Sequence, residues 1–340
     1  MDIGELIKNA DCVAITLTQA LEPMEGWQVP VFPPTYPASD KSRGHRHDTP
    51  YTLNVLKDGT KTVTLDSVQS QANRMEASFH GELQDWVPQV RLKAGDRALW
   101  LTELPHRLAD ASIRASELGP EVHSAFEAYD AGDPLPMAQL GPTALIYGAW
   151  DSRDTRINVP RSVRSEIHAT DVDVFTRSAQ FSGAFSREEL GFTEKEWRQG
   201  AEIGFAPTPS VDQHGGVLIH GQITQTATIH VGALRRLDSA TPGLGLYLLT
   251  LALGGLWIGG RDYTLRTGCW LVPKEPPVLN SVMRDGQRAS LAIDRSDIDA
   301  SMVEAHSRTQ ELKIPCGHVR DVSYEAGAGK RVVKTTPTDE

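Results

Sequence analysis

Residues 65–76 read LDSVQSQANRME. Leu65, Val68, Ala72, Met75 and Phe79 recur at spacings of three and four, which places them on one face of a helix. Asp66 and Gln69 stand three apart, the spacing of an N-cap residue and the third helical residue. The rest of the surface carries Ser67, Gln69, Ser70, Gln71, Asn73 and Arg74, polar and nearly uncharged. A face that only meets water is usually Glu and Lys, because these form helices better than Ser and Asn. Two readings fit. The face packs against a neighbouring loop, or it receives a phosphate or sugar edge where backbone N–H groups are free and the helix dipole is positive.

Upstream, YTLNVLKDGTKTVTLD (51–66) reads as a hairpin turning at Asp58-Gly59. CVAITLTQAL (12–21) alternates as a strand does. Between them, residues 28–50 form a proline-rich loop with a basic knot of Lys41, Arg43 and Arg46 beside His45 and His47. Downstream, residues 100–131 read as two helical pieces, and TALIYGAW (143–150) and SVRSEIHATDVDVF (162–175) as strands. Ser186 with Glu189 reads as a capping box opening a helix that runs through Trp197. GGVLIHGQITQTATIHVGAL (215–234) alternates most cleanly of all, with His220, Gln222, Thr224, Thr226, Thr228 and His230 on one face. Thr241 and Pro242 begin an apolar helix, and RDYTLRTGCWLV (261–272) returns as a strand.

With the stretches between them set aside as insertions, the order is strand, helix, strand, strand, helix, strand. This predicts an α+β fold with a ferredoxin-like βαββαβ core. The helices are 66–80 and 241–257 and the middle strands 143–150 and 163–175. RNA-recognition domains use this topology, and so do many enzymes. One domain is expected over 1–325, with insertions at 28–65, 84–140 and 176–235 and a flexible tail at 326–340.

Composition narrows the function. The formal net charge of −10 over 340 residues argues against indiscriminate coating of nucleic acid, though a locally basic groove remains compatible with it. Cys12, Cys269 and Cys316 lie far apart without metal spacing, which fits a reducing compartment and a cytoplasmic protein. The acidic N-terminus has no secretory apolar region. The apolar run 244–260 holds five glycines and ends at Arg261 and Asp262, so it reads as a core helix and not a membrane span. His220 and His230, ten residues apart, would be about 33 Å apart on a straight strand and make no metal site. No nucleophile elbow, zinc-hydrolase or phosphate-loop motif appears. No cofactor is expected.

The richest constellation is GAWDSRDTRINVPRSVRSEIHATDV (148–172), with Arg153, Arg156, Arg161 and Arg164 and no lysine. A guanidinium fork binds phosphate bidentately and stacks on bases, which an ammonium cannot do. Asp151, Asp154 and Glu166 interleave, so salt-bridged surface arginines are the competing explanation.

PPTY (33–36), LDSVQSQANRME, GAWDSR (148–153) and RSVRSEIHATDV (161–172) together resemble the backbone subunit of the type I-G (formerly I-U) CRISPR effector complex, a branch of the RAMP superfamily. DSVQSQANR is the most specific of these stretches, and LRTGCWLV (265–272) extends the general layout. The resemblance implies a RAMP-type palm with a modified RNA-recognition core and an inserted β-hairpin thumb. It implies polymerisation along a CRISPR guide RNA, with nucleotides displaced at regular intervals and target DNA held through guide pairing. The implied partners are further copies of the chain in a helical filament, the large and guide-processing Cascade subunits, and a transient helicase-nuclease that does the cutting. The chain itself is then not an enzyme. The alternative is an RNA endonuclease like the type III backbone subunits, using an aspartate such as Asp66 or Asp151.

A subunit that holds any guide contacts phosphates, 2′-hydroxyls and stacking faces. Ser67, Gln69, Ser70, Gln71, Asn73, Arg74, Arg153, Arg156, Arg161, Arg164 and His168 are therefore assigned to the RNA. The thumb is either the 51–65 hairpin or the strand at 215–232. The latter is preferred, since His220, Gln222, Thr224, Thr226 and Thr228 would form an uncharged wall along a duplex.

Overall fold

The computed structural model describes residues 2–36, 50–201 and 203–335. The basic knot at 41–47 lies outside them. The centre of the main sheet is strand β1 (Cys12–Pro23), whose alternation sends Ile15, Leu17 and Leu21 inward and leaves Thr16 and Thr18 on the other face. The Asp58-Gly59 hairpin forms as expected between β2 (Leu53–Val55) and β3 (Lys61–Asp66), with Gly59 at φ 89°. Helix α1 (Val68–Ala77) follows, continued by a 3-10 turn at Ser78–His80. Its N-cap is Ser67, whose Oγ accepts from Ser70 N at 3.3 Å, one residue later than the Asp66 expected from spacing.

The second and third core strands are β4 (Val163–Thr170) and, later in the chain, β7 (Ile223–Ile229). β7 lies antiparallel between β1 and β4, with Ile15 opposite Ile229 and Ile229 opposite Val163. Helix α2 (Val231–Ala240) and the apolar α3 (Leu244–Ile258) follow. The chain then returns through β8 (Thr264–Arg266), β9 (Cys269–Pro273), β10 (Val278–Met283) and β11 (Arg288–Ser290). β9 and β10 both pair with β1, on the edge opposite β7. Around β1 the spatial order is last strand, first, third, second, all antiparallel, with β3 and β2 beyond. This is the predicted ferredoxin-like α+β core.

The middle of that core differs from expectation. TALIYGAW is not a strand of the core sheet: Thr143–Tyr147 is a buried helical turn stopped by Gly148 at φ 83°, and only Ala149–Trp150 is extended. An apolar run of this length has no periodicity to separate buried strand from buried helix. The true third strand is the second half of the 215–234 alternation, which breaks at 220–222. Residues 231–234, read as the end of that strand, instead open helix α2. Helix α3 starts at Leu244 after Gly243 (φ 93°), past the Thr241-Pro242 start that was expected. Val319–Ser323 pairs in parallel with strand Gln89–Ala94, and Ala326–Thr335 is helical.

Between β4 and β7 the chain makes a long two-stranded arm, β5 (Val172–Phe181) and β6 (Thr208–Ile219). Asp171, at φ 54°, turns the chain out of β4 into it. At the far end Phe192 packs on Trp197 and Phe205, with ring centroids 6.5 and 5.3 Å apart. Ser186 and Glu189 exchange their hydrogen bonds as predicted, but only a turn forms there. The helix, Glu194–Gly200, starts at a second box made by Thr193 and Glu196.

Helices α1, α2 and α3 cover one face of the sheet, and the other face is left to solvent, as antiparallel sheets allow. The buried apolar residues form two clusters, one around β1, β7 and α3 and a smaller one, of strand and loop residues, around Tyr51, Val63, Ile167 and Ile219. No helix among the described residues is long and apolar enough to cross a membrane.

Candidate nucleic-acid interface

The polar face of α1 divides in two. Gln71 is fully buried beneath the sheet: its Nε2 donates to Asp66 Oδ2 at 2.7 Å, and its Oε1 accepts from Ser165 Oγ at 2.8 Å and Gln225 Nε2 at 2.9 Å. Gln225 also accepts from Tyr263 OH at 2.8 Å. Asp66, with no exposure, meets two guanidiniums, Arg74 at 3.0 Å and Arg266 at 3.2 Å. Gln71, assigned to RNA from the sequence, is instead enclosed in a polar belt between the two apolar clusters, and Arg74, part-exposed at that belt's edge, is held by Asp66. Burying these groups unpaired would cost several kcal/mol, so they answer one another. Ser67 and Ser70 are half-buried in the cap, while Gln69 and Asn73 remain exposed, joined Nε2 to Oδ1 at 3.0 Å.

Beside that exposed edge opens a cleft of about 780 Å³. Its wall brings together Gln69, Arg153 and Arg161 from the predicted set, with Arg107, Arg114, His106 and Trp150 added. The short ladder Ala149–Trp150 with Asn158–Val159 sets its rim. Asp151 is buried and shapes the loop behind it, accepting from Thr155 N at 3.0 Å and Asp154 N at 3.2 Å and pairing with Arg114 at 3.2 Å. Arg107, at φ 53°, donates Nε and Nη2 to buried Glu76 at 2.6 and 2.7 Å and Nη1 to Gly148 O at 3.0 Å. Burial pushes the Glu76 carboxyl up while Arg107 pulls it down.

Arg161 donates to Val68 O and to Gln69 Oε1, both at 3.1 Å, and so presents its guanidinium at the N-terminal turn of α1. Burial, then the positive charge of Arg107, lowers its pKa below the ordinary arginine value. Arg107 is already neutralised by Glu76, so Arg161 is the guanidinium of this pair left to meet an anion. Arg153 is exposed at the rim and makes no ion pair among the described residues. Arg156, exposed at φ 61°, is outside the cleft lining.

Arg164 and His168 lie elsewhere, on the open face of the sheet, where both meet Glu166, at 2.5 and 2.9 Å. Thr224, Thr226 and Thr228 share that face on β7, opposite His168, Glu166 and Arg164. They and Gln222 are therefore not on a projecting hairpin. The 51–65 hairpin is likewise the sheet edge, and the element that projects is β5–β6. Only His220 belongs near its base, 3.1 Å from Asp173. The alternation is identical on both sides of the 220–222 turn, so periodicity could not divide arm from core.

Sequence reading missed Arg107, Arg114 and Trp150. The first two stand in an unremarkable helical stretch, forty residues from the arginine cluster they join only in space. Trp150 was within the GAWDSR stretch, but as part of an expected core strand. Among the described residues no group of three His, Cys, Asp or Glu side chains is placed to hold a metal ion.

No curated protein matches the chain. A chain of a structure titled "CRISPR RNA-guided surveillance complex, pre-nicking" aligns at 10% identity over 95% of this chain and 100% of its own, with a TM-score of 0.41. Residues 15–174, which contain most of β1, all of α1 and β4 and every cleft residue, match the model of the family described as CRISPR-associated protein GSU0053, and it is to CRISPR-associated proteins that this chain is similar.

Proposed function

We propose that the chain is a non-catalytic, cytoplasmic guide-RNA-binding backbone subunit of a type I-G CRISPR effector complex. In this reading it polymerises along the guide and supports pairing of the guide with target DNA. The observation that carries the reading is the cleft itself. Arg153 and Arg161, neither in an ion pair among the described residues, share a cleft at the exposed edge of α1 whose wall is braced by the Arg107–Glu76 and Arg114–Asp151 pairs, in a protein whose net charge is −10. A phosphate backbone laid there meets Arg153 and Arg161 as charge-assisted donors, with Gln69 and Asn73 beside them for 2′-hydroxyls. None of these groups reads base edges in a fixed register, which suits a subunit that accepts any guide. The projecting β5–β6 arm is the element suited to the thumb role. Head-to-tail contact between copies gives an open filament, because a heterologous interface that does not close into a ring extends.

The test is the salt dependence of binding to single-stranded RNA. Each lost phosphate contact lowers the slope of log K against log salt by about 0.7. Replacing Arg153 and Arg161 by alanine should lower it by about 1.4 and weaken all guide sequences alike. An unchanged slope, or a new preference among guides, would remove the cleft from RNA binding. Asp66 and Asp151, the acids of the endonuclease alternative, are both buried and committed to hydrogen bonds and ion pairs. Guide-loaded protein should leave complementary RNA and DNA intact in Mg²⁺ or Mn²⁺, and cleavage abolished by Asp151→Ala would establish the alternative.

A further inference from the structure

Trp150 is unusual among the aromatic side chains of this protein. Its 66% exposure exceeds that of the other exposed aromatic residues, and it stands on the wall of the arginine cleft. An indole left in water forfeits the large apolar stabilisation its burial would bring. Local structure nevertheless holds it there. Its backbone pairs with Asn158 in the two-residue ladder while Ala149 and Val159, the adjacent pair, point into the core. The next residue, Asp151, is locked by Arg114 and by the amides of Asp154 and Thr155, and its own N–H donates to Ile157 O at 3.1 Å. Nothing in the described chain uses the ring: no other ring packs on it, and the four recorded guanidinium–ring contacts involve Trp100, Tyr147, Phe32 and Trp257 instead.

We infer that Trp150 is a nucleobase-stacking seat: a base of the bound strand lies against the indole while its flanking phosphates engage Arg153 and Arg161. The inference rests on the RNA-binding reading of the cleft and adds to it the group that holds a base. The physical case is one of combination. Sites for single-stranded nucleic acid pair a cationic groove with exposed aromatic faces, and stacking is tolerant of sequence because every base has a π face. The backbone beneath the indole is already fixed and the side chain has only two torsions to order, so its exposure in the free protein becomes contact area in the complex at small entropic cost.

The experiment compares Trp150→Ala, Trp150→Leu and Trp150→Phe in the full-length chain, with a mixed-sequence single-stranded RNA as probe. Affinity is measured across a salt series, and again with single abasic nucleotides placed along the RNA. Because the side chain is exposed, melting temperatures should match the wild type, and the leucine and phenylalanine variants alone suffice if alanine impairs folding. The expected result is binding weakened about 5- to 150-fold by alanine or leucine, largely kept by phenylalanine, with an unchanged salt slope. An abasic nucleotide at the seat should erase the difference between wild type and Trp150→Ala.

Tryptophan emission should also be quenched on RNA addition in the wild type, and less so in Trp150→Phe. Wild-type affinity in Trp150→Ala overturns the inference, as does leucine performing as well as phenylalanine. If Arg153→Ala and Arg161→Ala lower the salt slope while Trp150→Ala binds normally, the RNA reading stands and the stacking seat alone falls. If the wild type shows no salt-dependent RNA binding, both fall.

Discussion

Asp66 and Gln69 stand three residues apart in a stretch that looks uniformly polar, yet their environments are opposite. Asp66 has no exposure and faces Arg74, Arg266 and the Gln71 amide, while Gln69 sits in solvent at the cleft edge. This division makes the residues separable by experiment. Gln71→Ala removes the acceptor of Ser165 and Gln225 and a donor to Asp66, and should destabilise the fold by about 1–3 kcal/mol. Arg266→Ala leaves Asp66 with a single guanidinium and should cost about 3 kcal/mol, at the low end for a broken buried pair because Arg74 remains. Gln69→Ala and Arg153→Ala should leave stability within about 0.5 kcal/mol. Denaturant melts of the free protein check all four, and equal effects from Gln69→Ala and Gln71→Ala would contradict the buried belt.

Elements rather than residues decide how the cleft loop is held. Residues 151–157 are tied from inside by Asp151 and from outside by His123, whose Nδ1 lies 2.8 Å from Asp154. The hydrogen bond to Asp154, ahead of the charges of Asp154 and Glu127, raises the pKa of His123. A raised histidine value means the latch contributes fully below the unfolded value, about 6.5, and is lost as pH rises through the folded one. An NMR titration should find His123 above the ordinary histidine value and return it towards that value in Asp154→Asn. A His123 that titrates identically in both proteins would deny the latch.

The arm makes a second prediction at this scale. Phe181 is directly opposite Thr208 across the β5–β6 ladder. Replacing 182–207 by Asn-Gly, a two-residue hairpin turn, therefore closes it without touching the core sheet. The shortened protein should melt within a few degrees of the wild type and still bind a short RNA, but fail to assemble along a long one. Loss of folding would show that the arm tip belongs to the core.

At the scale of the whole molecule, a net charge of −10 is compatible with an arginine-lined cleft because the field a ligand meets at a surface is local. The same charge keeps free copies apart, so assembly should wait for the guide. Light scattering should find the protein without RNA at a small, fixed mass, and with RNA at masses rising in equal steps as the strand lengthens. A mass that stays constant with RNA length would exclude a filament.

The sequence by itself determined the elements whose patterns are local. β1, the Asp58-Gly59 hairpin, the apolar face of α1 and the burial of α3 all follow from periodicity and turn chemistry acting over a few residues. It also determined that a charge-poor helix edge and an all-arginine cluster exist. Tertiary structure decided what covers each face. Gln71 and Gln69 have the same chemistry, and only the sheet lying over one of them makes it structural. Thr228 and the arm strands share one alternation, and only the long-range pairing of β7 between β1 and β4 places the threonines in the core sheet. Arg107 and Arg114 reach the cleft because the chain folds back across forty residues. Periodicity records which side chains point together; it holds no information about which distant segment they meet, and that meeting separates a buried network from a binding surface.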